Sequence, residues 1–319
     1  MIKIDDFTLS VMVRDRHYNI PNVLEYYKNL DCEKIIFDSS IEKYNDIKSI
    51  EKAGFKYIYF PQPIDMFQKF NKIFNEHVKT TYVLDCPDDD VALVSSLEMC
   101  VDFLKNNDDY SCCYGLELGF NKKSIYSSPT TNGCIGGYID DYKSNDVFDR
   151  IWRFLTTNPV QIPHTVIRTK LMGDFWKMII NNKELQYLNY FEKALQIYCT
   201  IWGNRKVLPI IFRLRNYIDM GDRVHQKNRD ELNQGKELKY NINEENLYPL
   251  CDEILKIDNN KTKDECFKFL EKTLNENFSN HHQLGQGWCK ISIPKNLTFK
   301  SIINQDDDIN NFSKIWLHD

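Results

Sequence analysis

An α/β fold built on a mostly parallel, doubly wound sheet is what the sequence predicts, and three observations carry that expectation. Short apolar runs alternate with amphipathic helical stretches four times within about a hundred residues, the rhythm of strand–helix–strand units. Three of those runs close on polar clusters: Arg14-Asp15-Arg16, Asp38-Ser39-Ser40 and the acidic stretch from Asp85 to Asp90. In a parallel sheet all three clusters share one edge. Beyond Asn216 the strand pattern stops and amphipathic helices take over, which divides the chain into residues 1–215 and a mainly helical C-terminal extension, 216–319.

Each element has its own reason. Phe7–Val13 is an apolar run fit for a buried strand. A helix follows, with Pro21 in its first turn and Val23, Leu24, Tyr27 and Leu30 on one face. Lys34–Phe37 makes a second strand, and the helical stretch after it stops at Gly54, the residue type that best accepts a left-handed helix end. Tyr57–Phe60 is a third strand, closed by Pro61 and Pro63, before a helix over Met66–Val78. The fourth unit is Thr81–Asp90, TYVLDCPDDD, in which the strand Tyr82-Val83-Leu84 runs into acid and then a helix from Val91 to Lys105. Ser111–Leu118 and Lys206–Phe212 read as further strands, and Val147–Leu155, Leu171–Ile180 and Leu185–Ile201 as helices. In the extension, Leu247–Ile257 and Thr262–Phe278 are amphipathic helices.

Composition removes several classes. A net charge of −5, with no basic stripe, excludes nucleic acid as the expected partner. No apolar run approaches the ~18 residues that span a bilayer, and the opening MIKIDDFTLSVMVRDR lacks the parts of a signal peptide. The expectation is a cytoplasmic protein with no transmembrane segment, able to associate peripherally with the inner face of the membrane. Ten cysteines without a C-x-x-C pair or His/Cys ligand spacing read as reduced, mostly buried thiols.

The chemistry concentrates at the polar strand ends. Three adjacent ionised carboxylates, Asp88, Asp89 and Asp90, are costly to bury unpaired and belong where the chain leaves the sheet. Carboxyl ends of strands are where open α/β sheets bind ligands, and hard oxygen donors there suit Mg²⁺ or Mn²⁺ bridging to a phosphate. The plain alternative is an acidic turn that caps the next helix. Arg14 and Arg16 can hold a diphosphate through charge-assisted hydrogen bonds. Asp38, with Ser39 beside it, can accept from a ribose hydroxyl or a base edge. Together these describe a nucleoside-diphosphate site with a metal. Neither G-x-G-x-x-G nor a P-loop is present.

These residues also resemble a family. FTLSVMVRDRHYNIPNVLEYY is similar to the opening of bacterial family-2-like glycosyltransferases, with Arg16 at the position of their loop arginine but without that loop's Pro and Asn. KIIFDSS resembles their second strand, and YVLDCPDDDVALVSSLEMCVDFLKNNDDYSCCYG resembles the acidic signature of a glycosyltransferase-domain family of capsule and surface-polysaccharide loci. HTVIRTKLM fits a V-x-R-T element of that family. The resemblance spans roughly residues 7–215 and implies a GT-A, Rossmann-like fold. It implies a metal-dependent enzyme, using Mn²⁺ or Mg²⁺, that moves a sugar from a nucleotide-diphosphate donor to a glycan or lipid-linked acceptor in capsule or lipopolysaccharide synthesis.

Carried over by position, Asp88 and Asp90 form the DXD-type pair, Asp90 on the metal and Asp88 nearer the ribose, with the role of Asp89 open. Asp38 meets the base or ribose, and His281 or His282 supplies a C-terminal metal ligand. Glu192, ahead of Gly203 and Lys206–Phe212, has the spacing of the acceptor-activating base, with Glu184 and Asp174 as rivals. The family's Glu-Asp pair is absent, since Phe191 and Lys193 flank Glu192. Arg168 meets the diphosphate or acceptor, or forms a structural salt bridge. A nucleotidyltransferase on a related sheet and a non-catalytic sugar- or partner-binding protein are the alternative functions.

Overall fold

The computed structural model of the chain describes residues 2–121, 124–126, 141–156, 164–186, 188–216, 244–283 and 306–316. For 118–119, 121, 124–126, 141–142, 156, 186, 188–190, 192, 244–245, 276–283 and 306 it describes the backbone alone.

Strand β1 (Ile2–Val13) is central and alternates cleanly: Phe7, Leu9, Val11 and Val13 enter one core, while Thr8, Ser10 and Met12 face the other. On one side it pairs in parallel with β2 (Leu30–Asp38), which pairs in parallel with β3 (Lys56–Tyr59). On its other side it pairs in parallel with β4 (Tyr82–Pro87). The chain thus moves outward from β1 and returns to lay β4 on the opposite flank. The gap between the carboxyl ends of β1 and β4 is a topological switch point, the crevice where open α/β sheets bind ligands.

The rest of the sheet continues through a short antiparallel β9 (Val166–Arg168) to β6 (Tyr110–Asn121). Next comes β10 (Asn204–Asn216), parallel to β6, and then β5 (Asp90–Ala92), antiparallel to β10. The strand order is β3-β2-β1-β4-β9-β6-β10-β5, with β7 (Ser124–Tyr126) on β6 and β8 (Asp141–Tyr142) on β10. Helices cover both faces, as a mostly parallel sheet requires. One core holds α1 (Ile20–Tyr27), α2 (Ile47–Lys52), α4 (Val94–Lys105) and the helix Asp306–Trp316. The other holds α3 (Met66–Lys72), α5 (Val147–Thr156), α6 (Thr169–Asn181), α7 (Leu188–Trp202) and the helices Glu244–Ile257 and Lys263–Gln283. Among the described residues no helix is long and apolar enough to cross a membrane. The described cysteines are free thiols, all buried except half-buried Cys32.

Among the boundaries that differ from the sequence reading, three change the type of an element's end. Leu30 opens β2 instead of closing α1, which stops at Tyr27. The buried first residue of a strand happened to extend the helical spacing. The helix Met66–Val78 gives way after Lys72 to a π-turn over Ile73–His77, and Val78 is already extended. Val91 and Ala92 are strand, because their backbone pairs with Arg213 and Leu214 of β10. Gly54, at φ 79°, stops α2 as expected.

The late start of α4 has a consequence. Its N-cap is Leu93, which has no side chain to offer, so a first-turn N–H needs a partner from elsewhere. Asp308 provides it, accepting from the Ser95 N–H at 2.8 Å. The helix that carries Asp308 is anchored by Phe312 and Trp316, which meet Phe120 edge-on in the core. Asp308→Ala is expected to lower stability by about 1 kcal/mol, the usual value of an N-cap acceptor, while Asp308→Asn stays near wild type. Urea unfolding at equal m-values checks this; equal losses in both variants would show that the capping bond is not what matters.

Candidate active site

The switch point is assembled from two loops that could not be read as partners in the sequence. After β1 the backbone turns through Asp15, held in the left-handed region at φ 56°, a conformation Asp tolerates better than most residues. The turn is tied to the end of β2: Asp15 N–H donates to Ser40 Oγ (2.7 Å) and Ile41 N–H donates to Asp15 Oδ1 (2.9 Å). This places Arg16, His17 and Asn19 over the ends of β2 and β4.

Arg16 closes the gap. Its guanidinium donates to Asp88 Oδ1 at 2.5 Å and to Asp89 Oδ2, and Asn19 Nδ2 reaches the other oxygen of Asp88 at 3.2 Å. Asp88 is fully buried, and the side chain of Asp89 is 14% exposed. Asp90 turns the other way, into β5. Its Oδ1 accepts from the Asn216 N–H at 3.1 Å, and its Oδ2 lies 3.4 Å from Arg213, which also pairs with Glu117. None of the three aspartates caps α4, so the plain capping reading of this stretch fails. Asp88 and Asp90 also lie deeper than expected for a loop at the sheet's mouth, which their cationic partners make tolerable.

Desolvation dominates the electrostatics. Burial pushes the Asp88 carboxyl up to about 7; Arg16 opposes this and Asp89 reinforces it. Burial likewise pushes Asp90 up to about 6 against the pull of Arg213. Asp85, on β4 beneath the acidic segment, is raised by burial to about 7, with Lys69 opposing. Its Oδ1 is buried without a hydrogen-bond partner, and so is Oγ of Ser10, its register neighbour on β1. His164 Nδ1 lies 3.3 Å from the Asp85 carbonyl oxygen. Desolvation and the charges of Arg213 and Arg215 hold His164 well below its ordinary value, so the ring is neutral.

Asp38 ends β2 one strand away. It is buried and bonded by Ser40 N–H (2.8 Å), Tyr57 O–H (2.5 Å) and His17 Nε2 (2.9 Å). Burial pushes its pKa up, and the hydrogen bonds from Ser40, Tyr57 and His17 outweigh that and hold it below the usual carboxylate range. Ser39 Oγ accepts from buried Lys69 at 3.0 Å. Arg14 is exposed, 3.9 Å from Asp15.

The structure therefore brings Arg16, Asp38, Ser39, Asp88, Asp89 and Asp90 to one edge, with Arg14 on its rim. It does not bring Arg168 there. That guanidinium sits at the opposite, amino end of β4, where it donates to the carbonyls of Leu104 (2.9 Å), Asn107 (3.1 Å) and Tyr110 (2.8 Å). Those bonds seal the C-terminal end of α4, a structural use of the charge. Asp174 pairs with Lys170 and Lys177 along α6, and Glu184 lies in the 3₁₀ turn Lys183–Gln186. No described hydrogen bond or ion pair joins either to the acidic segment. Glu192 lies on α7, and His281 and His282 end the helix Lys263–Gln283. The side chains of these three lie outside the described residues. Sequence reasoning missed His17, Asn19, Tyr57, Lys69, Glu117 and His164. Only Asn19 carried a signal, as a polar residue three after Arg16 on the same turn.

Against solved structures, the chain is similar to S. aureus TarS 1-349, with TM-score 0.51 and 13% identity over 97% of this chain and 80% of that one. The fold is GT-A-like. A longer S. aureus TarS chain matches at TM-score 0.49 and 14% identity over 86% of this chain, which spans 43% of that chain's length. A CMP:2-keto-3-deoxy-manno-octonic acid synthetase complexed with CTP matches at TM-score 0.39 and 10% identity, over 72% of this chain and 98% of that one. No protein-family model and no curated protein sequence matches the chain. The likeness to TarS 1-349 bears on the architecture alone.

The raised carboxyls make a pH dependence. Asp85 sits near 7 in the folded chain against 3.8 when free, so between those values the folded protein keeps a proton that the unfolded chain has lost. Its contribution to stability is full below about pH 4 and is lost as pH rises through 7. Asp85→Asn cannot ionise, so its stability relative to wild type is expected to climb from pH 4 and to level off above about pH 7. Denaturant unfolding of both proteins across that range measures it, and a difference independent of pH would refute the assignment.

Proposed function

We propose that this chain is a metal-dependent glycosyltransferase that moves a sugar from a nucleoside-diphosphate donor to a glycan or lipid-linked acceptor in the building of a surface polysaccharide. The observation that carries the reading is the Asp88–Asp90 segment at the β1–β4 switch point of a GT-A-like sheet, facing Arg16 and one strand from Asp38.

The donor set suits Mn²⁺ or Mg²⁺: it is all carboxylate oxygen, and desolvation has raised Asp88 and Asp90 toward neutrality in a way a cation would reverse. Among the described residues no group of three His, Cys, Asp or Glu could hold a metal ion by itself. An ion of this kind is commonly held by one or two carboxylates together with substrate phosphates and water. Asp88 and Asp90 would hold it, with the more exposed Asp89 beside them and His282 as a further candidate. When bound, the ion offsets charge that develops on the departing diphosphate.

The chain's own residues do the remainder. Arg16 balances Asp88 and Asp89 in the absence of a cation, and is free to meet phosphate oxygens once a cation takes over that task. Arg14 stands on the rim to do the same, and Asp38 with Ser39 shapes the nucleoside end. Residues 1–215 form the donor side. The helices of 216–319 that pack on α5 and α7 shape the acceptor side. Glu192 is the leading candidate for the base that takes the acceptor's proton, ahead of Glu184 and of Asp174, which pairs with Lys170 and Lys177. A cytoplasmic place, at the inner membrane face for a lipid-linked acceptor, goes with this reading.

A second reading, a nucleotide-sugar-binding protein without turnover, is favoured by one observation: Arg16 already closes on the acidic segment. Two variants separate the readings. With Mn²⁺ present, Asp90→Ala is expected to lose both binding of UDP, GDP or CDP and turnover of the corresponding nucleotide sugar. Glu192→Gln keeps binding while turnover falls by a factor on the order of 10²–10⁴. Calorimetry with and without Mn²⁺, beside hydrolysis of a nucleotide-sugar panel, measures both. Binding that ignores Mn²⁺ removes the metal; binding without hydrolysis or transfer by the wild type selects the second reading.

A further inference from the structure

The side chain that ends β2 is enclosed by the protein's own donors. Asp38 is fully buried. It accepts from Ser40 N–H at 2.8 Å, from Tyr57 O–H at 2.5 Å and from His17 Nε2 at 2.9 Å. These three donors take most of the roughly four lone-pair positions a carboxylate offers, and burial closes off the remainder. Tyr57 is itself fixed, because its oxygen accepts from the Tyr44 N–H at 3.0 Å. A nucleoside that arrived at this end of the sheet would find no exposed edge of Asp38.

It would find His17. This ring keeps 27% of its side chain exposed and stands edge-on to Tyr44, with centroids 5.3 Å apart. A carboxylate only accepts, so the Nε2 that meets Asp38 carries the hydrogen. In the neutral ring Nδ1 is then an acceptor. His17 also belongs to the same short turn as Arg16 and Asn19, which grip Asp88. One turn thus faces the acidic segment with two of its residues and the end of β2 with a third.

We propose that His17, fixed in one tautomer by Asp38, is the group that contacts the nucleoside of the bound ligand, and that Asp38 acts through it as a positioning residue. The ligand chemistry that fits is a nucleoside diphosphate presenting a hydrogen-bond donor, a ring N–H, an amino group or a ribose hydroxyl, to Nδ1. This rests on the nucleoside-diphosphate reading above. It changes which residue performs the recognition.

Inorganic pyrophosphate separates the two, because it has the charge of the diphosphate and no nucleoside. Calorimetry with Mn²⁺ compares pyrophosphate with UDP, GDP and CDP on wild type, His17→Ala and Asp38→Asn. Wild type is expected to bind at least one nucleotide more tightly than pyrophosphate. His17→Ala should lower that nucleotide's affinity about tenfold while leaving pyrophosphate within twofold. Asp38→Asn, which keeps the shape but offers one donor where only acceptors stood, should do the same more weakly. Equal weakening of pyrophosphate and nucleotide by His17→Ala would overturn the proposal, and so would no weakening of either. A wild type that binds neither ligand would remove the nucleotide reading itself. The ring's ¹⁵N resonances, assigned among the seven histidines by the His17 variant, give a check on unmutated protein. Nε2 should be the protonated nitrogen, and Nδ1 should move on adding nucleotide but not pyrophosphate. An Nδ1 signal indifferent to nucleotide would refute the contact.

Discussion

The bridge from Arg16 to Asp88 and Asp89 is the interaction on which the acidic edge depends. Two carboxylates lie side by side at the end of β4, one of them without contact with solvent. Left alone they would repel each other and pay desolvation besides. A single guanidinium meets both, from a strand that precedes them by more than seventy residues. That link is possible only because β1 and β4 are neighbours, and they are neighbours only because the chain reverses direction at this point. The topology and the charge balance are therefore one constraint. Removing Arg16 leaves two uncompensated anions; moving β4 removes Arg16.

The same logic extends across the edge in three stations. Arg16 balances Asp88 and Asp89, Arg213 balances Asp90 and Glu117, and Lys69 lies under Asp85 while it holds Ser39. Each cation comes from a different element: the loop after β1, strand β10 and helix α3. The balance is incomplete, since Asp85, Asp88 and Asp90 remain raised toward neutral pH. Desolvation keeps them there, with Lys69, Arg16 and Arg213 opposing it. Asp38 is the contrast. Its donors are neutral hydrogen-bonding groups and a histidine, and they outweigh burial and hold its pKa below the usual carboxylate range.

Much of this could be seen in the chain itself. Period-two apolar runs and their polar ends located β1, β2, β3 and β4 and the edge they share, because strand alternation and the cost of burying charge both leave local marks. The places where sequence reading slipped are those where the deciding partner is distant. Val91 and Ala92 have the composition of a helix start, and only pairing with β10 makes them strand. Arg168 follows an apolar run like a ligand-facing arginine, yet β9 is antiparallel to β4, which sends its guanidinium to the other end of the sheet. His17 and Tyr57 are single residues in unrelated stretches, and their meeting at Asp38 has no sequence spacing to betray it.

That contrast explains why aspartates legible in the sequence need not be the groups that touch a ligand. An acidic residue at a strand end is visible because burial of charge is costly and therefore rare. The same cost obliges the fold to surround it with donors. At Asp38 those donors enclose the carboxylate, and chemistry passes outward to the donor that stays exposed, His17. Asp88 and Asp90 each face a guanidinium, and burial still holds both carboxyls above their ordinary range. Two strand ends with similar sequences thus acquire opposite properties, one carboxyl held below its ordinary range and the others above it. The difference lies in whether the neighbouring loop turns a histidine or an arginine toward the acid, and the turn from Arg16 to Asn19 does both at once.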